Sequence, residues 1–161
     1  VHQKLKGELI MSRWTHVGGV IRIDGLPGAD DKIRSEIQNR LGTIVKYESP
    51  REVWELPSDK TTPTGSEGGI EYFFTITGEE NSLSRGVITI YADLRDFGTE
   101  TQILTIVNWL NRLVIEEDNL DFFIRQGVVQ VEDEYGGNSG IIYYNGKEFA
   151  FEMNEAVQSY R

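Results

Sequence analysis

Cysteine is absent from the 161 residues, which excludes a disulfide framework, a thiolate metal site and a cysteine nucleophile. Histidine occurs twice, too seldom for the histidine-rich ligand sets that zinc favours. Basic residues are in the minority, 16 Lys and Arg against 26 Asp and Glu, for a formal net charge of −10. A basic face supplies most of the affinity for a phosphodiester backbone, so general DNA or RNA binding is not expected. That total does not exclude one small anion held in a local pocket. No hydrophobic run is long enough to span a membrane, and the first residues lack the charged-then-apolar order of a signal peptide. Proline is scarce, and three of the four, Pro50, Pro57 and Pro63, fall in one stretch. What remains is ordinary globular composition, 39% hydrophobic and 11% aromatic, sufficient for a core without a covalent or metal staple.

Residues 1–10 stand apart from the rest. Lys6-Gly7-Glu8 is how a purine-rich bacterial ribosome-binding site reads when translated, and Met11 follows at a suitable spacing. Met11 is therefore expected as the natural start, with residues 1–10 an upstream or non-native extension and residues 11–161 a single α+β domain.

Residues 15–24 alternate as a strand, Val17, Ile21 and Ile23 on one side and His16, Arg22 and Asp24 on the other, closed by the turn Gly25-Leu26-Pro27-Gly28. A helix is predicted from Asp30 or Asp31, with Ile33, Ile37 and Leu41 on one stripe and Gly42 as its stop. Residues 43–47 form a short β-like run, and residues 49–69 an irregular connection of the kind that tends to be functional or mobile. Strands follow at 70–77 and 86–95. Thr99 and Gln102 match a capping box. It opens a helix that buries Ile103, Ile106, Val107, Leu110 and Val114. Another strand spans 124–132, and a hairpin pairs 141–144 with 148–151 around Asn145-Gly146. The order predicts a ferredoxin-like βαββαβ sandwich, an antiparallel sheet with both helices on one face, plus a C-terminal β-hairpin. The sheet's other face is mixed, with Val20, Arg22, Phe73, Thr75, Thr89, Tyr91, Gln126, Val128 and Gln130. It is expected to meet the hairpin, a second subunit or a ligand.

In that topology the start of the first strand, the start of the second and the end of the third share one sheet edge. Arg13, Trp14 and His16 would converge there with Ser66 of the Gly65–Gly69 loop and with Arg95. Arginine forks suit phosphate or carboxylate, tryptophan offers a stacking plane, and a glycine-rich loop can aim amides at an anion. Arg22, Arg125 and Gln126 gather with Asp24 at the opposite edge as a second candidate anion site. Each piece also has a plainer reading: Trp14 as packing, His16 as a hydrogen-bonded strand residue, the loop as a flexible entry, and Asp93 to Asp96 as an ion-paired turn. Glu116, Glu117, Asp118, Asp121 and Glu132 to Glu134 form an acidic patch, either a solvated face or a surface for a basic host protein.

Catalysis finds little footing. His16 is the only credible base for a serine nucleophile and lies in no nucleophile motif, and the glycine loop lacks a P-loop ending. Paired-histidine phosphoesterase chemistry needs two core histidines, where residues 11–161 hold one. No metal site or cofactor is expected, since Asp24, Asp93 and Asp96 lack EF-hand spacing. An RNA-binding sheet platform would need basic and aromatic submotifs that are missing.

The runs 12–17 (SRWTHV), 21–25 (IRIDG), 65–68 (GSEG), 93–97 (DLRDF) and 124–127 (IRQG) resemble a set of small phage and prophage proteins to which no activity attaches. The resemblance covers nearly the whole chain from Met11. It implies a phage-type protein of the bacterial host cytoplasm that binds rather than turns over its target. With the arginine clusters and the mixed sheet face, the expectation is a non-enzymatic homo-oligomer that captures a small nucleotide-like anion and so sequesters a host anti-phage defence signal. The alternatives are an inhibitor of a host protein, acting through the acidic patch or the mixed sheet face, and a small hydrolase.

Overall fold

A computed structural model describes residues 13–45, 60–77, 83–114 and 122–154. The expected start at Met11, the prolines Pro50 and Pro57, and Glu116, Glu117, Asp118 and Asp121 of the acidic patch lie outside them. The elements are β1 (Trp14–Gly25), α1 (Asp30–Leu41), β2 (Glu71–Thr77), β3 (Ser84–Arg95), α2 (Glu100–Asn111), β4 (Phe122–Asp133), β5 (Gly140–Tyr144) and β6 (Phe149–Met153). The expected β-like run at 43–47 is represented, among the described residues, by one isolated bridge of Thr43 with Thr61.

The mixed α+β class is as expected: one six-stranded sheet, in the order β2-β3-β1-β4-β5-β6, with two helices. Every neighbouring pair is antiparallel. The C-terminal hairpin pairs edge-on with β4 and widens the sheet, so it does not cover the mixed face. Asn111 at the end of α2 holds β6, its amide nitrogen donating to the Phe149 carbonyl at 3.1 Å while its oxygen accepts from the Phe149 amide at 2.7 Å.

The strands alternate, β3 without interruption and β4 with one break at Arg125 and Gln126. Val17, Ile21, Ile23, Ile88, Ile90, Ala92, Leu94, Val129 and Val131 are buried with Ile33, Ile37 and Leu41 of α1 and Ile103, Ile106, Val107 and Leu110 of α2, in one core cluster. Each fully buried side chain of this size contributes roughly 1.5–3 kcal/mol, so the two helical stripes hold the layers together. Trp109 is also in this core, 1% exposed, and its indole N–H donates to the Leu41 carbonyl at 2.7 Å. The capping box forms as read: the Gln102 amide donates to Thr99 Oγ1 at 3.2 Å, and the Thr99 amide to Gln102 Oε1 at 3.0 Å. Among the described residues no helix is long and apolar enough to cross a membrane.

Candidate functional site

Alternation along β1 decides which side chains can act together. Trp14, His16, Gly18, Val20, Arg22 and Asp24 point to the face away from the core, and Arg13 and Thr15 to the other side. The expected cluster of Arg13, Trp14, His16, Ser66 and Arg95 is therefore divided. Arg13 grips Asp133 through Nε, at 3.1 Å to Oδ1, and through a second bond to Oδ2; the Asp133 side chain is fully buried. Burial alone would raise the Asp133 carboxyl. The Arg13 hydrogen bonds and charge, with backbone amides of Tyr135 and Gly137, outweigh that and hold it below its ordinary value.

On the opposite face His16 sits between two acids, Nδ1 2.6 Å from Asp93 Oδ1 and Nε2 3.2 Å from Glu134 Oε1. The Asp93 hydrogen bond, reinforced by Glu134 against a smaller opposing effect of burial, raises the imidazole above its ordinary value. Arg95 is bound by Glu67 at 2.5 Å, and Ser66 Oγ donates to Asp96 Oδ2 at 2.7 Å. His16 and Ser66 are thus not joined as base and nucleophile. The glycine loop spends its amides on its own docking: Ser66 N donates to the Arg95 carbonyl and Gly65 N to the Gly68 carbonyl, each at 2.9 Å. A Cβ at Gly65 or Gly68 would overlap the backbone of Arg95 or Asp93, so these glycines serve close packing against β3. The loop offers no anion cradle, and the edge as a whole carries more carboxylates than guanidinium groups. Trp14 is half-buried in the same row, its register partner Arg95.

The second cluster is a different environment. β4 carries a bulge opposite Arg22 and Ile23, where Arg22 pairs with Gln126 and Ile23 with Ile124. The extra residue puts Arg125 and Gln126 side by side on the exposed face. Arg22, Asp24, Leu83, Arg85 and Arg125 line a cavity of about 330 Å³. Arg125 donates to Asp24 Oδ2 from Nε at 2.8 Å and from a terminal nitrogen at 2.6 Å, and its guanidinium lies 5.0 Å from the Phe123 ring centroid. Asp24 is 5% exposed, and its Oδ1 is buried with no hydrogen-bond partner among the described residues. Arg22 is exposed and has no partner among the described residues. Gln126 stands opposite Arg22 but does not line the cavity. Arg85 escaped the sequence reading because the strand was expected to begin at Gly86; carrying the alternation of Val87 and Thr89 back two residues finds it.

Among the described residues three guanidinium groups and one carboxylate line this cavity; Arg125 is paired with Asp24 and Arg85 has a contact of its own, so Arg22 is the guanidinium open to an anion. A larger cavity, about 920 Å³, lies over the β4–β6 end of the sheet and is lined by Glu132, Asp133, Glu134 and Glu152 with the apolar Ile141 and Met153. Among the described residues no three His, Asp or Glu side chains are arranged to hold a metal ion. Compared with family models, with curated proteins and with solved structures, the chain matches none.

Proposed function

We propose that this chain is a non-enzymatic binding protein that captures a small nucleotide-like anion at the Arg22, Arg85 and Arg125 cluster beside Asp24. The observation that carries the reading is the cavity lined by three arginines, of which exposed Arg22 has no partner among the described residues. Phosphate would take the guanidinium groups; Asp24 Oδ1 is buried out of a ligand's reach, so Asp24 contributes by holding Arg125 through Oδ2. The fold proposed for it is the ferredoxin-like sandwich, supported by the order β2-β3-β1-β4 of the four inner strands, with β5 and β6 as its extension. The resemblance to phage proteins supports a host defence nucleotide as the ligand and the bacterial cytoplasm as the place of capture.

The test is calorimetric titration with inorganic phosphate and with linear and cyclic mono- and dinucleotides. A guanidinium–phosphate hydrogen bond contributes about 1.5–3 kcal/mol, so Arg22→Ala and Arg125→Ala should each weaken a binding nucleotide by about tenfold or more. No binding across the panel, or binding that both variants leave intact, overturns the reading.

A second reading rests on the larger cavity. Its carboxylates and exposed Ile141 and Met153 suit a basic, partly apolar segment of a host protein. Capture that weakens with salt and is lost on Glu132→Lys supports it; capture indifferent to both removes it.

A further inference from the structure

The open face of the sheet is ordered along the strands by charge. Cross-strand register defines its rows. At one end stand Arg85, Arg22 and Arg125. In the middle one row crosses five strands as Phe73, Thr89, Val20, Val128 and Tyr143, and the next holds Glu71, Tyr91, Gly18, Gln130 and Ile141. At the other end His16 lies between Asp93 and Glu132, with Glu134 beyond. The middle is strongly apolar for a solvent face: Phe73 is 55% exposed, Val20 51% and Tyr91 47%. The Phe73 and Tyr91 rings lie parallel, 6.0 Å between centroids.

We propose that two copies of this chain stack these faces about a two-fold axis lying in the face and running across the strands. Such a rotation reverses the strands and lays the arginine end of each copy on the acidic end of the other. An axis along the strands would set arginine on arginine, so the charges select the first arrangement. With the axis between the Val20 and Gly18 rows, Arg22 meets the other copy's His16 row, flanked by Asp93 and Glu132. β1, β3 and β4, of twelve residues each, give roughly 600 Å² per face at about 4.8 Å between strands and about 3.4 Å per residue, the lower end of a standard stable interface. The result is an isologous sandwich with its apolar rows on the axis. Asp24 and Arg85 sit one row beyond Arg22, at the rim, so the anion cavity stays reachable from the end of the stack. The inference does not depend on that cavity binding anything.

Sedimentation of the full chain, without added ligand, tests it. Wild type should be a dimer that weakens as salt rises. Val20 lies next to the axis, so Val20→Lys brings two lysines together and should give monomer. Arg22→Glu and Glu132→Arg should each weaken the dimer about tenfold or more. An equimolar mixture of those two variants should restore it, because both contacts in the mixed dimer then join opposite charges. The substituted side chains are exposed, and circular dichroism checks that each variant keeps its fold. A monomeric wild type, a dimer unmoved by Val20→Lys, or a mixture no tighter than its components overturns the proposal.

Discussion

Arg125 spends two hydrogen bonds on a single oxygen of Asp24, Oδ2, at 2.8 and 2.6 Å, and leaves Oδ1 buried without a partner. An ion pair made this unevenly returns little of its desolvation cost. Asp24→Asn should therefore change stability by no more than about 1 kcal/mol, since relief of the orphaned oxygen offsets the lost pairing. The same change removes the one carboxylate that lines the cavity among the described residues, so inorganic phosphate should bind several-fold more tightly. Thermal melts and phosphate titration of the variant check both parts.

Asp133 is the reverse case, a buried carboxylate with every oxygen engaged. Asp133→Ala strands Arg13 and the amide of Tyr135 and should cost about 3 kcal/mol by denaturant unfolding. Its folded pKa lies below the ordinary 3.8, so its contribution is present above 3.8 and is lost as pH falls through the folded value. Asp133→Asn should lose stability at neutral pH and show a shallower acid limb than wild type.

His16 has the opposite sign. Its folded pKa lies above the ordinary 6.5, so its contribution is full below 6.5 and disappears as pH rises through the folded value. The ring is largely exposed, 45% of its side chain, and solvent screening keeps the effect within about 1 kcal/mol. An NMR titration should place the His16 midpoint above 6.5, and His16→Gln should flatten the stability profile on the alkaline side of that value. A midpoint at or below 6.5 would contradict the double clamp by Asp93 and Glu134.

The adjacent glycines of β1 should behave unequally. A Cβ at Gly18 meets nothing within 4 Å, whereas one at Gly19 would overlap the Val128 carbonyl and lie 2.5 Å from the Val129 Cα. Gly19→Ala has to push β4 away and should cost about 2 kcal/mol or more. Gly18→Ala should fold with wild-type stability. Urea unfolding of the two variants side by side is the measurement.

The strands, both helical stripes and the Thr99 cap were legible because each is a local pattern: alternation, a helical period, a motif of four residues. The site was legible only in half. Arg22, Arg125 and Gln126 were found because β1 and β4 meet where the topology requires. Arg13, Trp14 and His16 were grouped because they are neighbours in the chain, yet alternation sends Arg13 to Asp133 and His16 to Asp93 and Glu134. Those acids lie 120, 77 and 118 residues away, and ion pairs at that separation leave no trace in a single sequence. Trp109 was missed for a similar reason. Its N–H is satisfied by Leu41, 68 residues away, and only that bond makes burying an indole acceptable.

The bulge in β4 has a consequence beyond the crowding of Arg125 against Asp24. On one side of it the inward residues carry even numbers, Phe122 and Ile124; on the other they carry odd numbers, Val129 and Val131. Deleting Gln126 would bring the two halves into phase. Phe122, Ile124, Gly127, Val129 and Val131 would all stay inward in unbroken alternation and Arg125 outward, but Arg125 would stand directly opposite Arg22 in place of Gln126. The extra residue therefore sets the spacing of the arginine cluster and not the burial of the core: without it two like charges would face each other across the strands.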